Sequence, residues 1–130
     1  MTLELGLLLW SVPLFGLYLG AQSLLYRWKH GLMFAQTARD EIPGDDGVLL
    51  GRAQRALSNF LETWPVFIIL ALVAHLAAPG DTLVLGGAIT WYVSRILYLQ
   101  LYLGGVFLVR SLVWFAGAIG LLLMFIGVLF

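Results

Sequence analysis

Three short runs of residues stand out as places where chemistry is possible. The first is Arg55, Asn59 and Glu62, spaced i, i+4 and i+7, so that one helical face carries all three. The second is Arg95, Tyr98 and Tyr102, spaced i, i+3 and i+7, and the third is the pair Arg110-Ser111. Each sits in or beside a stretch that is otherwise apolar. Glu62 can neutralise only one of Arg55, Arg95 and Arg110. The surplus positive charge, beside two tyrosine hydroxyls and an asparagine, suits an anionic ligand with several carboxylates. Other chemistries find less support. The chain has no cysteine, which removes disulfides, thiolate metal sites and cysteine nucleophiles. His30 and His75 lie in separate segments with no metal-site spacing; His75 reads as a packed or interfacial side chain and His30 as part of a basic loop. No Gly-rich phosphate loop of the Walker type is present.

The elements that must carry these residues are membrane helices. Of 130 residues 62% are hydrophobic and 11% charged, with a mean hydropathy of +0.98, too few charges to cover a water-soluble globule. The formal net charge is zero, so no nucleic-acid partner is expected. About 20 apolar residues cross a hydrocarbon core of about 30 Å. Four segments qualify, at about 3–26, 52–78, 82–103 and 106–130, with a polar loop over 27–51. The first is a retained helix and not a signal peptide, since its only early charge is Glu4 and its apolar stretch is long. The loop gathers Asp40, Glu41, Pro43, Gly44, Asp45, Asp46 and Gly47, a solvated acidic run, with a short helical piece over Leu32 to Arg39. The charge-free stretch Thr63 to Ala78 is too short to cross alone, so the second helix carries Arg55, Asn59 and Glu62 toward the membrane. Turns at Pro79-Gly80-Asp81 and Gly104-Gly105 close the later connections.

These four spans with short or moderate connections predict an all-α, up-down-up-down transmembrane four-helix bundle in a single membrane domain. A closed β-barrel would need residue-by-residue alternation, which these runs lack. Arg27, Lys29, Arg39, Arg52 and Arg55 lie in or beside the first loop, and Arg95 and Arg110 flank the turn on the same side. The positive-inside rule then puts the long loop in the cytoplasm and both termini outside. Trp10 and Trp91 read equally well as interfacial anchors or as packing residues. An ionised side chain at a helix centre costs roughly 2.5–3.5 kcal/mol on insertion scales, so the polar stripes are expected to face a bundle interior or a watery cavity. Arg110 alone could instead snorkel to the headgroups.

The residues Gly51-Arg52-Ala53-Gln54-Arg55-Ala56-Leu57-Ser58-Asn59-Phe60-Leu61-Glu62-Thr63-Trp64-Pro65 resemble the second-helix signature of the MAPEG family, membrane-associated proteins in eicosanoid and glutathione metabolism. That signature is R-x-x-x-N-x-x-E followed by an aromatic residue and Pro. The run Arg95-x-x-Tyr98-x-x-x-Tyr102, followed by Arg110-Ser111, is similar to the family's third and fourth helices. The resemblance covers nearly the whole chain. It implies a homotrimer that binds glutathione between neighbouring subunits, near the cytoplasmic side. By the same resemblance Arg110 is the catalytic arginine that stabilises the glutathione thiolate. Arg55, Asn59, Glu62, Arg95, Tyr98, Tyr102 and Ser111 are the residues that would hold the tripeptide, and Arg27 and Arg39 could assist from the loop. Glutathione is then a cosubstrate. The chemistry is compatible: arginines can pair with its two carboxylates, Glu62 can meet its ammonium, and a cation beside its sulfur raises the thiolate fraction.

The expected activity is a membrane-bound transferase or peroxidase, with a lipophilic electrophile or hydroperoxide reaching the sulfur from the bilayer. A non-catalytic scaffold that holds a lipid or partner in the same groove is the alternative reading. A small proton-coupled transporter built on Glu62 is a third, weakened because Arg55 on the same face would pair with that carboxylate. The 26-residue stretch from Arg27 to Arg52 and the lack of a eukaryotic retention signal suggest a bacterial-type member in the cytoplasmic membrane.

Overall fold

The computed structural model describes residues 1–30 and 48–130, and four helices account for nearly all of them. Helix α1 spans Leu3–His30, α2 Val48–Ala77, α3 Thr82–Leu103 and α4 Phe107–Leu129. All four are long and apolar enough to cross a membrane. The expected helical piece over Leu32 to Arg39 and the acidic run Asp40 to Asp46 lie outside the described residues.

Two boundaries differ from the expectation, and both for the same reason. Helix α1 continues to His30 rather than to about residue 26, and α2 begins at Val48 rather than near Arg52. The additional turns are held by a small apolar contact of their own, in which Tyr26 and Leu50 are buried with Leu25 packed beside them. Arg27 supports the end of α1 by donating to the Ser23 carbonyl at 3.2 Å and to its hydroxyl at 2.6 Å. At about 1.5 Å per residue, α2 is roughly 45 Å long, well beyond the hydrocarbon thickness.

The turns are built by backbone chemistry. Asp81 caps α3, its carboxylate accepting from the backbone N–H of Leu83 at 2.9 Å and of Val84 at 3.1 Å. At the far end of α3, Gly105 N–H donates to Tyr102 O and Val106 N–H to Leu101 O, both at 3.1 Å. This paired pattern needs a left-handed residue, and Gly105 supplies it with φ +73°. The chain re-enters a helix two residues later, which fixes α4 antiparallel to α3.

Two kinds of packing hold the bundle. On one side, α2 meets α1 and α3 through aromatic rings. Phe60 lies 4.6 Å from Tyr18 and 5.9 Å from Trp91, and Phe67 stacks on Trp91 at 4.1 Å. Trp91 is fully buried in this core, whereas Trp10 is 62% exposed, so of these two Trp10 is the one positioned to meet lipid or headgroups. On the other side, α3 and α4 touch backbone to backbone. A Cβ on Gly120 would stand 2.6 Å from the Gly87 carbonyl oxygen, and one on Gly87 would overlap the Gly120 carbonyl. Small residues at such crossings replace the hydrophobic drive that lipid cannot supply. Large apolar side chains, among them Leu76, Phe107 and Leu24, are exposed around the outside, as expected where the solvent is hydrocarbon.

Helix α1 carries more polarity inward than its composition suggests. Glu4, Ser11 and Tyr18, spaced by seven, are all fully buried. The Trp64 indole N–H donates to the Ser11 hydroxyl at 2.9 Å, and the Tyr18 hydroxyl donates to the Arg95 carbonyl at 2.6 Å. Glu4, near the other end, has no hydrogen-bond partner among the described residues.

Candidate functional site

The polar residues of α2, α3 and α4 converge at the end of the bundle where α2 begins and the Gly104-Gly105 turn lies, here called the loop end. Asn59 from α2, Tyr98 and Tyr102 from α3, and Arg110 and Ser111 from α4 line a cavity of about 230 Å³, with Trp114 and Phe115 of α4 completing the wall. The spacing explains the meeting. Tyr98 and Tyr102 are one turn apart on α3, as Arg110 and Trp114 are on α4.

Arg110 is half-buried, with its guanidinium 4.4 Å from the centre of the Tyr102 ring and 5.0 Å from that of Phe107. Two aromatic faces thus hold the cation at the cavity wall, at distances typical of cation–π contacts. Ser111 donates its hydroxyl to the Phe107 carbonyl at 3.2 Å. Tyr98 and Tyr102 lie 5.5 Å apart, centre to centre. Arg55, exposed on α2, donates from Nε to the Tyr102 hydroxyl at 3.2 Å. Tyr102 therefore lies between two arginines, Arg55 at its hydroxyl and Arg110 over its ring.

Arg95 is placed differently from the rest. It is 1% exposed and does not line the cavity. Its Nη1 donates to Asn59 Oδ1 at 2.7 Å, and its guanidinium lies 4.8 Å from the centre of the Tyr98 ring. It therefore backs two of the residues that form the wall. Glu62 departs from the expectation in the other direction. It is exposed on α2 and makes no ion pair among the described residues, so it neutralises none of Arg55, Arg95 and Arg110. Arg55 and Glu62 are two turns apart on α2, about 10 Å along the axis, and Arg55 is engaged by Tyr102 instead. The result is a group of three guanidiniums with no carboxylate within ion-pairing distance among the described residues, which favours an anion.

Other residues support the site without having been singled out by spacing. Arg52 donates from Nη1 to the Leu103 carbonyl at 3.2 Å, and its guanidinium lies against Gly105. A cation there also meets the negative end of α3. Tyr18 reaches across from α1 to fix the backbone turn that carries Arg95. Arg52 lies one turn before Arg55 on the same face and could have been flagged for that reason. The Tyr18 contact has no local signal, because its partner is a backbone carbonyl on another helix. Arg27 is bonded within its own helix, and Arg39 lies outside the described residues.

His75 is remote from this group; its Nδ1 lies 3.1 Å from the Thr2 hydroxyl at the opposite end of the bundle. Among the described residues there is no cluster of three or more His, Cys, Asp or Glu side chains able to hold a metal ion.

Comparison with known proteins gives one result. No curated protein and no solved structure matches the chain. A family match extends over residues 5–130, which includes all but the first two residues of the four helices and every cavity residue described above. This chain belongs to the MAPEG family.

Proposed function

We propose that this protein is a membrane-bound, glutathione-dependent transferase or peroxidase that works as a homotrimer. The observation that carries the reading is the convergence of Arg110, Tyr102, Tyr98, Asn59 and Ser111 on one cavity whose neighbouring arginines have no carboxylate partner among the described residues. Glutathione supplies what is missing there: two carboxylates for arginines and hydrogen-bond donors, and a thiol for Arg110. A thiolate beside a fixed guanidinium is favoured over the thiol, so the reactive form is more populated. It then forms a carbon–sulfur bond with a lipophilic electrophile and displaces the leaving group. With a hydroperoxide it takes the terminal oxygen, releases the alcohol, and a second glutathione reduces the sulfenic product to disulfide and water.

The exposed pair Arg55 and Glu62 supports assembly. A lone chain would present both to lipid, at a cost of roughly 2.5–3.5 kcal/mol each near the bilayer centre and less near its surface. Against a second copy they close the open side of the site, and Glu62 is free to meet the glutathione ammonium. The basic residues around the loop favour a cytoplasmic position for the loop end, with both termini outside, in a bacterial cytoplasmic membrane.

The test is purification in detergent, determination of the assembly mass, calorimetry with glutathione, and conjugation of a generic aromatic electrophile. A trimer that binds glutathione and turns over the electrophile is expected. Binding without turnover would replace the enzyme by a scaffold that uses the same groove, and no binding would remove the glutathione reading.

A further inference from the structure

A guanidinium has five N–H donors and no acceptor. An asparagine that faces one at hydrogen-bonding distance must therefore present its oxygen. Arg95 Nη1 stands 2.7 Å from the Asn59 carboxamide, and that contact alone fixes which way the amide is turned. Arg95 occupies one lone pair of the Asn59 oxygen and fixes that oxygen on its own side, which leaves the NH2 group as the donor available to the cavity that Asn59 lines.

We propose that Arg95 is a positioning residue that locks the Asn59 carboxamide as a donor, and that the ligand group seated against Asn59 is a carboxylate. This rests on the glutathione reading above and makes it more specific, since a guanidinium bonded to the amide oxygen repels the tripeptide's ammonium from the Asn59 position. Arg95 suits the role because it is enclosed and held on several sides. It is 1% exposed, lies over the Tyr98 ring at 4.8 Å, and has its backbone carbonyl held by the Tyr18 hydroxyl at 2.6 Å. It also lacks a carboxylate partner among the described residues, so its charge is not quenched locally. A cation bonded to the amide oxygen draws electron density away from the nitrogen and strengthens the N–H donors on the other side. The arrangement thus strengthens the donor that Asn59 offers the cavity, while the cation itself does not line it.

The decisive variant is Asn59→Asp. It is the same size and keeps Arg95 paired, so the bundle should assemble and melt as the parent does. Its side chain, however, offers only acceptors to the cavity. Glutathione affinity by calorimetry should fall by at least about tenfold. Two analogues then identify the ligand group, one with the glycine carboxylate converted to carboxamide and one lacking the γ-glutamyl carboxylate. The Asn59→Asp penalty should shrink to about twofold or less for the analogue whose missing carboxylate faced Asn59. Arg95→Lys, also donor-only, should retain the parent's preference for carboxylate over carboxamide, and Arg95→Met should lose it. An Asn59→Asp protein that binds glutathione as tightly as the parent, or a penalty unchanged with both analogues, would overturn the proposal.

If the parent does not bind glutathione at all, the tripeptide reading fails, and the lock is judged by thermal midpoints. Arg95→Met and Asn59→Leu should then be non-additive in combination, and additivity would show that the two residues do not act as a unit.

Discussion

The helix pair α3–α4 is built in two ways along its length, and Gly117 marks the change. Beyond it toward the C-terminus, Gly120, Met124 and Gly127 of α4 face Gly87 and Val84 of α3, and the backbones meet directly at Gly87 and Gly120. Before it, Arg110, Ser111, Trp114 and Phe115 of α4 and Tyr98 and Tyr102 of α3 enclose space with Asn59. Small residues bring the axes close in one half, and large polar and aromatic ones line a cavity in the other. The two halves are complementary in cost as well. The tight half leaves little polar surface to satisfy, while the open half keeps Arg95 buried with no carboxylate paired to it among the described residues. A site of that kind is tolerable because the rest of the same helices is held so closely.

The largest effect is expected from breaking the tight half. Gly120→Leu would drive a side chain into the Gly87 carbonyl and the Trp91 backbone nitrogen, 2.6 and 2.9 Å from the position of its Cβ. Both obstacles are backbone, so neither can rotate away, and the loss should be about 3 kcal/mol or more. The thermal midpoint in detergent and the yield of assembled protein measure it. A Gly120→Leu protein as stable as the parent would mean that the helices are not in contact there.

Arg110→Ala probes the open half and should do the reverse. The side chain lies on rings at the cavity wall, so assembly and melting should change little. Turnover of glutathione with an aromatic electrophile should fall by roughly 10²-fold, comparable to removing one fixed donor from a developing anion. The pH dependence separates this role from packing. A thiol whose ionisation is assisted by Arg110 gives a rate that rises at lower pH than the free thiol would. In the variant, that rise should move upward toward the free-thiol value of about 8.5. An unmoved profile would remove Arg110 from the thiolate.

The two halves were not equally legible in the sequence. The four crossings and the stripes Arg55-Asn59-Glu62 and Arg95-Tyr98-Tyr102 followed from hydropathy and helical spacing, which are local properties. Periodicity also put Arg95 and Tyr98 on one face, but could not say that one would line the cavity and the other stand behind it. That distinction depends on how α2 lies against α3, and is set by the ring packing of Phe60, Phe67 and Trp91. Glu62 shows the same limit. Spacing made it a natural partner for an arginine, yet Arg55 is held by Tyr102 on another helix. The inward polar face of α1 was present as Glu4, Ser11 and Tyr18, but its spacing by seven was masked by the apolar residues around it. The extra turns of α1 and α2 were missed because Tyr26 and Leu50 stabilise each other across two helices, which no single-segment pattern reports.

The smallest of these effects lies at the joint between α3 and α4, and it tests whether position or mere stability links the halves. Gly105 has φ +73° and supports the Arg52 guanidinium, whose Nη2 would stand 2.8 Å from an added Cβ. Gly105→Ala should therefore cost about 1–2 kcal/mol from the left-handed backbone. It should also push Arg52 away from the Leu103 carbonyl, since the flexible guanidinium yields more easily than the turn. Arg52→Gln removes the same contact without straining the backbone. If Arg52 merely stabilises the turn, only the melting temperature should fall, by a few degrees in either variant. If it sets where α4 begins, and hence where Arg110 stands over Tyr102, both variants should also lower kcat severalfold while glutathione affinity stays close to the parent's. A fall confined to Gly105→Ala would assign the effect to backbone strain and leave Arg52 without a part in positioning Arg110.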